Sequence, residues 1–98
     1  MYEELLELFH NNEPYYLKFK DISPERKLHN RPDMNAFIIL DNLVPGVTDI
    51  VEAAEHDQIF LNISVEDLCN VATHDDIKDL IRCGVRYNSE FDCLCMYV

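Results

Sequence analysis

Two helix-start signals nine residues apart, closed by one glycine, constrain this chain more than any other feature. Ser64 precedes "VEDLCNVA" and Thr73 precedes "HDDIKDLIRC". A hydroxyl at such a position accepts a hydrogen bond from the unsatisfied N–H groups of a helix's first turn. Asp67 and Asp76, three residues further on, form a variant of the capping box. The apolar positions Val65, Leu68, Cys69 and Ala72, then Ile77, Leu80 and Ile81, give each segment one buried face. Gly84 suits the left-handed residue that ends a helix.

On the N-terminal side, Tyr2, Leu5, Leu6 and Phe9 fall at i, i+3, i+4 and i+7, the spacing of an amphipathic helix. Glu3, Glu4 and Glu7 suit its dipole, and Pro14 stops it. "YYLKFKDI" (15–22) alternates and predicts a half-buried strand, with Tyr15, Leu17 and Phe19 on one side. Residues 23–35 contain two prolines and no period, which predicts a long exposed loop. "AFIILDNLV" (36–44) is almost continuously apolar and predicts a central strand, followed by a Pro45-Gly46 turn. In 47–55 the β-branched start favours strand, while Glu52-Ala53-Ala54-Glu55 and a cap at Thr48 favour helix; strand is preferred. A turn at His56-Asp57 then pairs it with "QIFLNI" (58–63). Beyond Gly84, "VRY", a turn at Asn88-Ser89-Glu90 and "FDCLCMYV" read as a C-terminal hairpin. The expected order is α-β-β-β-β-α-α-β-β. This is an α+β chain with residues 1–98 in a single small domain: a predominantly antiparallel sheet, an N-terminal helix, two short helices and a C-terminal β-hairpin.

Three of the four cysteines lie in the last twenty residues. On a strand, Cys93 and Cys95 point the same way as Phe91 and Tyr97, and that aromatic-bearing side is expected to be the buried one. Structural zinc favours Cys pairs with two to four residues between them, placed in turns, with further Cys or His ligands at matching spacing, whereas Cys93 and Cys95 have one residue between them. A site from Cys83, Cys93, Cys95 and His74 is conceivable, yet nothing in the spacing calls for it. The cysteines, Cys69 included, are therefore read as core packing, with no metal and no other cofactor. His10, His29, His56 and His74 stand in no catalytic frame, and two glycines cannot supply a phosphate-binding loop. No enzyme activity is expected.

The net charge is −11 with 48% hydrophobic residues, a balance that favours a folded domain over a disordered one. No run approaches the length of a membrane span, and "MYEELLELF" carries acids where an export signal carries bases, so a cytoplasmic location is expected. Excess negative charge opposes contact with nucleic acid or anionic membrane and steers basic partners. The charges are also segregated. Five of the eight Lys and Arg residues lie between Lys18 and Arg31, while from Asp41 to Asp79 there are ten acids and one base, Lys78. Solvation alone does not require such crowding. The expected partner-binding residues are Asp49, Glu52, Glu55, Asp57, Glu66, Asp67, Asp75, Asp76 and Asp79, with Arg26, Lys27 and Arg31 as a secondary contact.

The charge pattern leads to the expectation of a non-enzymatic inhibitor or accessory protein, and the phage or mobile-element type is an association with the profile of small, strongly acidic single domains rather than a derivation. Such a protein would place an acidic face on a basic, nucleic-acid-binding surface of a host enzyme, mimicking phosphate. From another class comes a small winged-helix-like regulator, with the helix pair and hairpin on nucleic acid. Against it, the second helix carries Asp75, Asp76 and Asp79 beside Lys78 and Arg82. A metal- or redox-dependent module ranks third.

Overall fold

The paired caps form as expected and set the helical layer. The computed structural model describes residues 2–55 and 57–97. Helix α1 is Tyr2–His10, α2 is Pro32–Leu43, α3 is Val65–Val71 and α4 is His74–Arg82. The strands are β1 (Val51–Glu55), β2 (Gln58–Leu61), β3 (Arg86–Asn88) and β4 (Cys93–Tyr97). They make one antiparallel sheet in the order β1-β2-β4-β3, and the fold is α+β. At α4 the full capping box is present: Thr73 Oγ1 accepts from the Asp76 N–H at 3.1 Å, and Asp76 Oδ2 accepts from the Thr73 N–H at 2.9 Å. At α3 the Ser64 hydroxyl accepts from the Asp67 N–H at 3.2 Å. Gly84 adopts φ +103°, a conformation that favours glycine, and a Cβ there would touch the end of the exposed Leu17 side chain at 3.0 Å.

The core lies between the helices and one side of the sheet. Leu5 and Phe9 of α1, Ala36, Ile39 and Leu40 of α2, Leu68 and Cys69 of α3, and Ile77, Leu80 and Ile81 of α4 are all buried in it. From the sheet come Leu61, Leu94 and Met96, with Ile59 and Tyr87 partly buried alongside. Cross-strand pairing puts Leu61 beside Leu94 and Ile59 beside Met96, so these residues share the helix-facing side.

The structure corrects the sequence expectations at four places. First, 36–44 is the body of a helix, not a central strand. Pro32 at the first helical position and Asp33 beside it suit a helix start. The run also contains Asp41-Asn42, which a strand covered on both sides would have to bury, whereas the helix leaves both exposed. Second, 15–22 is a series of turns. Tyr15 and Tyr16 N–H groups bond back to Asn12 O, a 3-10 turn spans Phe19–Asp21, and Leu17 takes φ 57°. Turning lets the Tyr15 ring reach α4, where Lys78 Nζ and the Arg82 guanidinium lie 5.4 and 5.3 Å from it.

Third, the 23–35 stretch is pinned rather than loose. It holds a 3-10 turn at Pro24–Arg26 and the start of α2. Asn35, fully buried, accepts at Oδ1 from the N–H groups of Leu28 (2.6 Å) and His29 (3.0 Å). Its Nδ2 donates toward Arg26 O and Cys83 Sγ at 3.4 and 3.5 Å. Fourth, the C-terminal strand has the predicted period and the opposite phase. Leu94 and Met96 meet the helices, while Phe91 and Tyr97 are 63% and 53% exposed. Both alternating sets are apolar, so the pattern specifies a strand without specifying its inner side.

The remaining elements follow the expectation with shifted ends. Regular strand in 47–55 begins only at Val51. The turn expected at His56-Asp57 falls partly on His56, which lies outside the described residues, as does Val98; Asp57 is in a turn. Replacing Asn35 with Ala should leave two N–H groups without an acceptor and destabilise the fold by about 2–4 kcal/mol. The midpoint of urea unfolding, compared with that of the natural chain, checks this.

Candidate functional site

The nine acids expected at a partner surface divide into two groups by what the backbone does with them. Asp49, Glu52, Glu55 and Asp57 lie along β1 and its flanks and are exposed. Glu66 and Asp67 occupy the first turn of α3 and Asp75 that of α4; all three are exposed. Asp76 and Asp79 are 8% and 3% exposed and turn inward. Arg26 bridges them, its Nε on Asp79 and its terminal nitrogen on Asp76, and Arg82 donates to Asp79 at 2.8 Å. These two acids hold the fold together and present no carboxylate to a partner.

The electrostatics agree with that role. Burial pushes the Asp76 carboxyl up, but the Thr73 N–H and hydroxyl and the Arg26 guanidinium together hold it below its ordinary value. The hydrogen bonds from Arg26 to Asp76, first, and to Asp79 outweigh burial and raise the Arg26 guanidinium further.

Of the secondary contact, Arg26 is therefore turned inward, with its side chain 37% exposed. Lys27 lies 5.3 Å from the Phe19 ring, and Arg31 pairs with Asp33 at 2.8 Å; both remain at the surface. Lys78 and Arg82, the cations of the expected recognition helix, both lie over Tyr15. Arg86 stacks on Tyr97 at 5.0 Å and Tyr16 at 6.0 Å.

The other side of the sheet, away from the helices, is a surface that the sequence did not announce. Across it run Ala53 of β1, Phe60 of β2, Cys95 of β4 and Arg86 of β3, linked by cross-strand pairing. Phe60 and Phe91 meet edge-to-face at 5.9 Å. Glu52, Ala53, Glu55, Phe60, Phe91 and Cys93 line an open groove of about 340 Å³. The acids stand at its β1 edge and Arg86 at the β3 edge, so the face is polarised from one side to the other. The sequence pattern placed Phe91 on the buried side of the last strand, whereas the structure puts it in the turn before β4. The irregular β1 pairing that brings Glu52 alongside leaves no sequence signature.

Chemistry-bearing groups are quiet. Burial raises the thiols of Cys69, Cys93 and Cys95, and raises Cys83 to about 11, so all four stay protonated and poorly nucleophilic near neutral pH. All four are free thiols. His10, His29 and His74 are exposed, with His74 Nε2 3.3 Å from Glu4. Among the described residues no cluster of His, Cys, Asp or Glu able to hold a metal is found, and no helix is long and apolar enough to cross a membrane. Comparison with protein-family models, with curated proteins and with solved structures finds no match for this chain.

Asp76 with its depressed value contributes stability that is complete above the ordinary aspartate value of 3.8 and lost as pH falls through its lower folded-state value. Asp76→Asn should therefore be less stable than the natural chain at pH 7, with the gap closing in the acid limb below about pH 4. Arg26→Ala should lose about 2–3 kcal/mol, less than a fully buried pair because Arg26 is partly solvated. Thermal unfolding followed across pH checks both.

Proposed function

We propose that the protein is a non-enzymatic binding protein that acts as an inhibitor or accessory factor by setting an acidic face against a basic protein surface. The observation that carries this reading is the separation of charge. Residues 32–77 contain ten acids and neither Lys nor Arg. Nine of those ten carboxylates remain outside the buried cluster on α4: Asp76 alone is taken inward. Six of the eight cations, by contrast, are held against the protein's own rings or carboxylates: Arg26, Lys27, Arg31, Lys78, Arg82 and Arg86.

The physical consequence of the net charge of −11 is a long-range field that draws basic partners toward the acid-rich segments. Partners of matching chemistry are the Lys- and Arg-rich grooves that proteins use to hold nucleic acid, where the phosphate repeat sets a similar density of negative charge. Such a partner in a host enzyme, met in the cytoplasm, fits the expected phage or mobile-element role. On α4, the engagement of Lys78 and Arg82 with Tyr15 weighs against the nucleic-acid-binding regulator.

The test uses Glu52→Lys, Glu66→Lys, Asp67→Lys and Asp75→Lys combined, all at exposed positions. Circular dichroism confirms that the variant folds. A basic protein captured by the natural chain should be released by salt, should be displaced by duplex DNA, and should associate at least about ten-fold more slowly with the variant at low ionic strength. Capture that resists both salt and the four reversals would remove the acidic face from the function.

A further inference from the structure

The sheet's uncovered side carries more than charge, because it combines three features that meet only in the folded chain. The first is an irregularity in the β1–β2 ladder. Val51 pairs with Leu61 and Ala53 with Phe60, so Glu52 is the extra residue of a bulge between them. A bulge sets two residues against one and re-aims the inserted side chain. Here Glu52 and Ala53 both border the groove over Phe60.

The second feature is an aromatic pair that remains open to solvent. Phe91 is 63% exposed and stands edge-on to Phe60. Its position is built into the turn. Asn88 Oδ1 accepts from the N–H groups of Glu90 and Phe91 at 3.0 and 3.2 Å, and Asp92 takes φ 48° while accepting from the Tyr87 hydroxyl at 2.6 Å. An exposed aromatic fixed at the rim of a groove marks an interaction surface better than a scattered apolar residue does. The third is the one-sided charge: Glu52 and Glu55 border the groove, and among the described residues no Lys or Arg does.

We infer that the groove between β1 and the 88–92 turn is the seat for an arginine side chain of a basic partner protein, its guanidinium stacked on the Phe60–Phe91 pair and forked toward Glu52. The guanidinium is planar, weakly hydrated and suited at once to an aromatic face and a carboxylate, while its aliphatic stem covers Ala53 and Cys93. A volume of about 340 Å³ is at the small end of ligand pockets, in keeping with one side chain and its flanking backbone. Charge complementarity selects the occupant: an anionic or neutral segment gains nothing from Glu52. The same carboxylates oppose the pairing of two copies along this edge.

This assignment rests on the acidic-docking function proposed above, and the experiment separates the two. The probe is a blocked pentapeptide, Gly-Arg-Gly-Arg-Gly, titrated into the 15N-labelled full chain and followed by amide shifts. Its lysine and citrulline counterparts serve as comparisons. Shifts should centre on Ala53, Phe60, Phe91 and Cys93, with arginine bound more tightly than lysine and citrulline bound least. Phe91→Ala, a change at an exposed position, should weaken arginine binding about five-fold. Shifts confined to Glu66, Asp67 and Asp75, with Phe91→Ala binding as well as the natural chain, would overturn the groove and leave the docking function standing. Equal binding of citrulline would also overturn the groove. No shift at any acidic segment would remove both.

Discussion

Two carboxylates on the inner side of α4 set a condition that the rest of the molecule has to meet. A charge withdrawn from water is strongly unfavourable unless a partner and hydrogen bonds compensate it. Asp76 is answered by its own helix cap at Thr73 and by Arg26; Asp79 is answered by Arg26 and Arg82. Arg26 lies about fifty residues earlier in the chain, so the segment after α1 must fold across α4 to deliver it. Tyr15 over Lys78 and Arg82, the Leu17 N–H to Ile81 O bond, and Asn35 beneath Leu28 and His29 fasten the same segment. An irregular stretch becomes part of the framework because one guanidinium is needed at its middle.

That arrangement also explains the surface. Six of the eight cations sit against the protein's own rings or carboxylates, and among the described residues no Lys or Arg lines the groove beside β1. The helices cover one side of the sheet and leave the other open, so the acidic edge adjoins an aromatic groove rather than a plain solvated strand. Of the acids crowded between residues 32 and 77, Glu52 and Glu55 stand at the edge of that open side, while Glu66, Asp67 and Asp75 lie in the first turns of α3 and α4.

Much of the fold was legible because some signals are local. The caps at Ser64 and Thr73, the α1 spacing and the left-handed Gly84 each depend on a few neighbouring residues. The errors arose where local pattern admits two answers. A continuous apolar run such as 36–44 fits a buried strand or a helix, and only the need to keep Asp41 and Asn42 in water separates them. Alternation in 15–22 fits a strand, yet tertiary contacts of Tyr15 and Leu17 turn the chain. At the candidate site, Glu52 and the other exposed acids were visible as charge, while Asp76 and Asp79 looked identical to them in composition. Phe60 and Phe91 were invisible as a pair because they lie on separate strands and turns.

The sequence by itself determined the α+β class, the N-terminal helix, the two capped helices, a strand beginning at Gln58, the C-terminal hairpin, and the excess of acid between Asp41 and Asp79, since each follows from near-neighbour spacing or from counting. Tertiary structure alone decided which acids are buried, which side of β4 meets the core, and how Glu52 comes to stand beside two phenylalanine rings. Those outcomes depend on competition among distant residues for one interior, and no local pattern records who wins it.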